Sequence, residues 1–299
     1  MRTLVTITDA APIGDDVVAI AMLARSSEAD FALAVATSGN VWAEEAAKNV
    51  RRILAHVGRD DIPVHIDRSC YSQLKRDCLR QEPDAGETAL YRGALDVQRT
   101  PHLPGDGNDD DWMNCLATLT RPDVLVLGPA RPLAHLLLDR PDLATELGTV
   151  YVMGGAIACR GNATAAAEFN FWFDPEAAEI LLAAGLDTVL LPLDAIASIY
   201  HSAALGDLIG NGGPIKESVR LSIAPGRSLP ICDEALAAIA LDDSVATEYR
   251  EMRLGVSVHS GRNFGSVRIL DDSHRRKPVR VVKKIDESAL RRTMQRLLV

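Results

Sequence analysis

Leu4-Val5-Thr6-Ile7-Thr8-Asp9-Ala10-Ala11-Pro12-Ile13-Gly14-Asp15-Asp16-Val17-Val18-Ala19-Ile20-Ala21-Met22-Leu23 carries the decisive pattern of this chain. Leu4, Val5 and Ile7 predict a buried N-terminal strand, and residues 17–23 predict the helix after it. Asp9, Asp15 and Asp16 therefore fall in a strand-to-helix loop, a favoured ligand position in α/β sheets. Crowded carboxylates repel one another unless a cation or a shifted protonation relieves them, and hard divalent ions such as Ca²⁺ take clustered carboxylate, carbonyl and water oxygens. Two readings stay open on this segment. One is an oxygen-ligated metal site. The other is that Asp15 and Asp16 cap a helix N-terminus, where free N–H groups and the positive dipole end favour acids.

Outward from this stretch, short apolar runs alternate with Ala- and Leu-rich stretches, the signature of βαβ units and a largely parallel sheet. Strands are expected at residues 31–37, 62–66, 124–127, 150–153 and 188–191, with helices at 43–57, 133–138 and 175–184. Helices and returning strands near 256–260 and 279–282 are expected to complete the region after Gly206. The polar segment 68–111, with Gly86, Pro101, Pro104, Gly105 and Gly107, breaks the alternation and is too long for an ordinary connection. It reads as an insertion near the pocket that carries helices and a partly mobile loop. The expectation is one α/β domain over residues 1–299, a mainly parallel central β-sheet flanked by helices.

Composition narrows the partners. A chain of 299 residues at 47% hydrophobic can bury a sizeable core. Its net charge of -9 argues against a grip on nucleic acid, which needs a basic face, and no run reaches membrane-spanning length. A small-molecule partner fits better. The five cysteines are scattered without CxxC spacing, and Met1-Arg2-Thr3 leads straight into a strand, so the expectation is a cytoplasmic protein with reduced thiols. The seven histidines show neither HxxxH nor HxH spacing, which disfavours zinc, and Asp109-Asp110-Asp111 reads as a solvated loop.

In an open parallel sheet the strand C-termini share one edge, so their loops converge on one crevice. Asn40, Asn162, Glu168, Asn170, Asp194 and Asp233 follow the expected strands or sit in those loops, and no basic cluster joins them. Amides and acids together suit a neutral polyhydroxylated ligand such as a sugar. Taken singly, each also reads as an ordinary turn residue. A phosphate would ask for Lys, Arg or a glycine-rich cradle, and neither a Walker loop nor GxGxxG is present.

The order of motifs resembles the inosine-uridine nucleoside hydrolase family along most of the chain. Asp9 with Asp15-Asp16 resembles its N-terminal aspartate cluster in a longer-loop form, and Ser38-Gly39-Asn40 resembles the Gly-Asn after its second strand. Leu125-Val126-Leu127-Gly128-Pro129 resembles its leucine-rich Gly-Pro segment. Val152-Met153-Gly154-Gly155, Gly161-Asn162, Ala167-Glu168-Phe169-Asn170 and Asp174-Pro175-Glu176 are similar to its most characteristic stretch. Cys232-Asp233 resembles the late His-Asp pair, with cysteine at a position where many members carry histidine. The chain departs from the family at Ile7, where an additional Asp is usual, at Ala10-Ala11, and at Ala130-Arg131-Pro132, which stands in place of Leu-Thr-Asn.

The resemblance implies a Rossmann-like open sheet and an enzyme that uses water and one Ca²⁺ to cleave the N-glycosidic bond of a ribonucleoside, releasing base and ribose. It implies carboxylate ligands from Asp9, Asp16 and Asp233 and a main-chain carbonyl near Arg131. Asp9 would orient or deprotonate water. Asp15, Asn40, Asn162, Glu168 and Asn170 would hold ribose hydroxyls, and Met153 would pack near the sugar. Cys232 takes the place of an acid; as a thiol it could donate a proton or serve as a small buried hydrophobe. Homodimers or homotetramers are implied as well. The alternative is a non-catalytic nucleoside- or sugar-binding protein that keeps the metal pocket. A Mg²⁺-dependent phosphohydrolase with Asp9 as nucleophile is weaker, because Ala11 stands where its second aspartate belongs. His102, Trp112, Trp172 and Tyr200 are the residues that could meet a base, although scattered aromatics more often fill a core.

Overall fold

Period-two burial of short apolar runs builds the sheet. In the computed structural model, which describes residues 1–67, 111–196, 198–199, 213–222 and 231–299, eight strands align in the order β3-β2-β1-β4-β5-β6-β10-β7. They are β1 (Arg2–Thr8), β2 (Ala29–Ala36), β3 (Val64–Ile66), β4 (Asp123–Val126), β5 (Val150–Met153), β6 (Thr188–Leu191), β10 (Val279–Ile285) and β7 (Ala246–Met252). All neighbours pair in parallel except β7, which runs antiparallel to β10. The polar segment 68–110, His102, Tyr200 and His201 lie outside the described residues.

Alternate residues along each central strand face opposite layers. Leu4, Leu125, Tyr151 and Val189 join one core with the helices Asp15–Arg25, Ala43–His56, Asp233–Leu241 and Glu287–Leu298. Val5, Ile7, Val124, Val126, Val150, Val152 and Leu190 join the other with the helices Arg131–Asp139 and Pro175–Ala183. Trp112, on the helix Asp111–Ala117, is a buried member of that second core rather than a pocket residue. The helix Asp15–Arg25 is apolar on every side because other helices cover what the sheet does not: it meets Ala43–His56, Gly213–Ser222, Asp233–Leu241 and Glu287–Leu298. Among the described residues no helix is long and apolar enough to cross a membrane.

Each expected element through β6 is observed within one or two residues, and the structure adds the short helices Asp111–Ala117, Pro141–Ala144 and Phe169–Phe173. Beyond β6 the structure adds β7, whose Thr247, Glu248, Tyr249, Arg250 and Glu251 are exposed; an edge strand with one antiparallel neighbour shows no apolar run to read. The strand expected at 256–260 is instead the hairpin of β8 (Leu254–Val256) and β9 (Val267–Ile269), a separate two-stranded sheet. Residues 257–266 connect its two strands, with the turn at 262–265.

The chain order places the crevice. It leaves β1 toward β2 and β3, then returns to β4 on the other flank of β1, so the C-terminal ends of β1 and β4 border the topological switch point where open sheets bind ligands. Thr8-Asp9 leaves one and Leu127-Gly128 the other.

Candidate active site

Asp9 stands at that switch point, 1% exposed. Its Oδ2 accepts the Asn40 N–H at 2.6 Å. Gly39 and Gly128 press against its carboxylate from two sides: a Cβ at position 128 would lie 2.5 Å from Asp9 Oδ1, and one at 39 would overlap Oδ2. Both positions therefore require glycine to admit the carboxyl group.

The longer aspartate loop ends at Gly14, whose φ of 141° falls where L side chains are strained, and its N–H donates to Ser218 Oγ at 3.2 Å. Gly14 is the N-cap of the helix Asp15–Arg25 and supplies no side-chain cap. Asp15 and Asp16 lie in the first turn, where the dipole favours acids, but the Asp16 carboxylate accepts from the Thr8 hydroxyl across the loop. The second acid pair comes from the far end of the chain. Cys232 caps the helix Asp233–Leu241, bringing Asp233, 4% exposed, and Glu234, 0% exposed, to the same place.

One carboxylate oxygen from each of Asp15, Asp16 and Asp233 lies within 4.8 Å of the other two. Asp9 sits beside this trio and repels each member of it. Burial, then the charge of Glu234, pushes Asp15 up to about 7. Burial followed by Asp9 and Asp15 holds Asp16 well above the usual carboxylate range, and burial followed by Asp15 and Asp16 does the same to Asp233. Among the described residues no Lys or Arg pairs with any of the three. An all-oxygen donor set with excess negative charge in a dry crevice fits a hard divalent cation and suits neither a soft metal nor an anion.

Glu168, 1% exposed, caps the short helix Phe169–Phe173, accepting the N–H groups of Asn170 at 2.7 Å and Phe171 at 3.1 Å. It also takes Gly155 N–H at 2.9 Å. Burial raises it to about 7 although these three donors oppose the shift, with Asp9 adding to the rise. Asn170 donates Nδ2 to Leu127 O at 2.7 Å and Met153 O at 3.2 Å, so it bridges the ends of β4 and β5. Met153, 4% exposed, touches the same amide with its sulfur at 3.6 Å. Asn40 thus binds Asp9 directly, and Glu168 lies close enough to feel its charge.

Other expected residues are turned to bracing. Asn162 is exposed, and its Oδ1 accepts Phe169 N–H at 2.8 Å. Asp194 clasps the loop after β5, accepting from Ile157 N–H at 2.8 Å and Ala158 N–H at 2.7 Å and from the Cys159 thiol. Arg131 opens the helix Arg131–Asp139 and spends its guanidinium on Asp174, Nε to Oδ2 at 2.7 Å. Cys232 is buried, and its thiol is pushed well up by burial and then by Asp15 and Asp233. The sequence reading missed Thr8 and Glu234. The run Cys232-Asp233-Glu234 at a helix start was the available signal for Glu234; nothing local marks Thr8. A separate cavity of about 490 Å³ lies at the β8–β9 hairpin, lined by Glu179, His259, Arg262 and Arg268 among others, and includes none of the crevice residues.

Comparison with known proteins identifies the family. The profile of the inosine-uridine preferring nucleoside hydrolase family matches residues 6–292. The pyrimidine-specific ribonucleoside hydrolase RihA of Salmonella enteritidis PT4 is 33% identical over 216 residues, 71% of this chain and 68% of that protein. A plant nucleoside hydrolase, PpNRh1, superposes with a TM-score of 0.83 at 22% identity over 99% of this chain and 98% of its own. The purine-preferring ribonucleoside hydrolase from Gardnerella vaginalis follows at 0.79 and 22%, again covering 99% and 98%. The chain belongs to the inosine-uridine preferring nucleoside hydrolase family, enzymes that hydrolyse the N-glycosidic bond of ribonucleosides.

Proposed function

We propose that this N-ribohydrolase depends on Ca²⁺, held by Asp9, Asp16, Asp233 and the main-chain carbonyl of Arg131, with Asp15 alongside. The observation that carries the reading is the meeting of Asp15, Asp16 and Asp233 oxygens within 4.8 Å. A bound divalent cation supplies a Lewis acid that makes water easier to deprotonate at neutral pH. Asp9 takes the proton from the attacking water, its Oδ2 fixed by the Asn40 N–H at 2.6 Å and its other oxygen facing Gly128. Asp15, Glu168 and Asn170 hold ribose hydroxyls, with Asn40 and Asn162 at the rim and Met153 beneath the sugar. Cleavage builds positive charge on the ribosyl ring, and carboxylates fixed in place before the reaction stabilise it without reorganising. Burial, then the charges of Asp15 and Asp233, push the Cys232 thiol up and favour its protonated form. We therefore assign it a hydrogen-bond donor's role at most and leave proton transfer to Asp9.

The 33% identical RihA is pyrimidine-specific and the Gardnerella vaginalis structure purine-preferring, so uridine and cytidine lead the substrate panel with inosine and guanosine behind them. We infer a homodimer or homotetramer in solution, as the family resemblance implies. The test is release of reducing sugar from the panel with added Ca²⁺ and with a chelator. Calcium-dependent ribose release supports the reading; hydrolysis unaffected by the chelator overturns the metal assignment. Metal binding without turnover on any member favours a binding protein.

A further inference from the structure

The segment 127–131 separates the Asp9 carboxylate from the helix Arg131–Asp139, and both of its ends are tied to one other piece of backbone. Asn170 Nδ2 holds Leu127 O at 2.7 Å. Arg131 Nε holds Asp174 Oδ2 at 2.7 Å, with side chains 5% and 0% exposed. Asp174 N–H in turn donates to Asn170 O at 3.3 Å, so the two anchors are successive turns of the helix Phe169–Phe173 and its C-cap. Between the anchors Gly128 leaves no slack against Asp9, since even a Cβ there would come within 2.5 Å of Oδ1.

We propose that Arg131 and Asp174 are positioning residues, their buried ion pair closing a two-point clamp that holds segment 127–131 in register with Asp9 and with the Glu168-Asn170 segment. This rests on the reading of Asp9 and Asn170 given above. The pair is tightly determined. Asp174 Oδ1 is committed to Ala177 N–H at 3.1 Å, capping the helix Pro175–Ala183, so Oδ2 is the oxygen left for Arg131. Arg131 Nη2 is buried without a partner among the described residues, so the guanidinium depends on Asp174. An isolated buried charge on either side is costly, whereas loss of both charges together is tolerated. Through this clamp the ribose-side segment and the wall behind Asp9 move as one body.

The test compares Asp174→Asn, which preserves the helix cap, with the double variant Arg131→Met/Asp174→Asn, which leaves no unpaired buried charge and keeps the fold. Calorimetric titration with CaCl₂, hydrogen exchange at the Asn40 and Gly128 amides, and kcat and KM separate positioning from bulk stability. The expected result in the double variant is native circular dichroism, faster Asn40 exchange and a Ca²⁺ dissociation constant raised about tenfold to a hundredfold, as for other groups that orient metal ligands. kcat falls with it while KM stays within about threefold. A double variant with wild-type Ca²⁺ affinity, kcat and Asn40 exchange, whatever its melting temperature, overturns the clamp. If the wild-type protein neither binds Ca²⁺ nor releases ribose, the functional reading fails by itself, and Asn40 exchange alone then decides for or against the clamp.

Discussion

Asp174 and Asp16 are buried to nearly the same depth, 0% and 1% exposed, and the fold treats them in opposite ways. Asp174 receives the Arg131 guanidinium and the Ala177 N–H. Asp16 receives one hydroxyl, from Thr8, and shares its space with Asp15 and Asp233. Desolvating a carboxylate is expensive in both places, and among the described residues only the first is offset by a cationic side chain. The proposed cation at the C-terminal end of β1 is what would relieve the second carboxylate.

Removing a ligand carboxylate breaks the contrast most severely. Asp233→Asn or Asp16→Asn is expected to abolish Ca²⁺ binding and lower kcat/KM by about a hundredfold or more. The same variants, assayed with chelator, should melt higher than the chelated wild type by about 2 °C or more, because one of the mutually repelling acids is gone. Calorimetry and a thermal scan on one preparation check both signs, and a lower melting temperature in chelator would count against stored repulsion.

A pH series sharpens the same point. Asp15 and Glu168 titrate near 7 in the metal-free fold, and Asp16 and Asp233 are raised as well, all above their unfolded values. A carboxyl group with a raised folded pKa costs nothing below the unfolded pKa, and its folded form then loses ground as pH climbs toward the folded pKa. Stability of the chelated protein should therefore decline as pH rises from about 4 through 7. The stabilisation on adding Ca²⁺ should grow over the same window; a constant increment across it contradicts the assignment.

Smaller effects separate sugar from metal. Glu168→Gln removes the charge and leaves one acceptor oxygen, enough for the Gly155 and Phe171 N–H groups on Oε2 but not for the Asn170 N–H on Oε1, so KM should rise about tenfold with Ca²⁺ affinity intact. Equal loss of metal affinity would move Glu168 into the cation site. The least consequence is expected from Cys232→Ser, a change in kcat of about threefold or less, since general acid catalysis is worth at least about a hundredfold where it operates. A larger drop would restore the thiol as proton donor.

Much of this was legible before the structure, for physical reasons. Parallel strands buried on both faces read as apolar runs, so β1 to β6 and the crevice at their C-terminal ends follow from the sequence. β7 did not, because an exposed edge strand such as Thr247-Glu248-Tyr249-Arg250-Glu251 looks like a surface loop. Asp9, Asp15 and Asp16 were visible as a cluster within one loop, and Asp233 came from motif order. The Arg131-Asp174 pair spans 43 positions and joins two motifs read separately, so no local pattern could reveal it. Thr8 was hidden for the same reason, since its role lies in the Asp16 carboxylate it faces, whereas Glu234 stood beside Asp233 at a helix start and could have been read. Asp194 shows the converse, a polar residue at a plausible loop position whose carboxylate oxygens are taken by backbone N–H groups.

The central claim is that the crevice holds one divalent cation supplied from solution. Equilibrium dialysis with elemental analysis tests it directly, run on the wild-type protein and on Asp16→Asn after exhaustive chelation and readdition of CaCl₂. The account predicts one tightly held Ca²⁺ per wild-type chain and none on the variant. Equal binding by the two proteins, or undiminished ribose release by metal-free wild type, would contradict it.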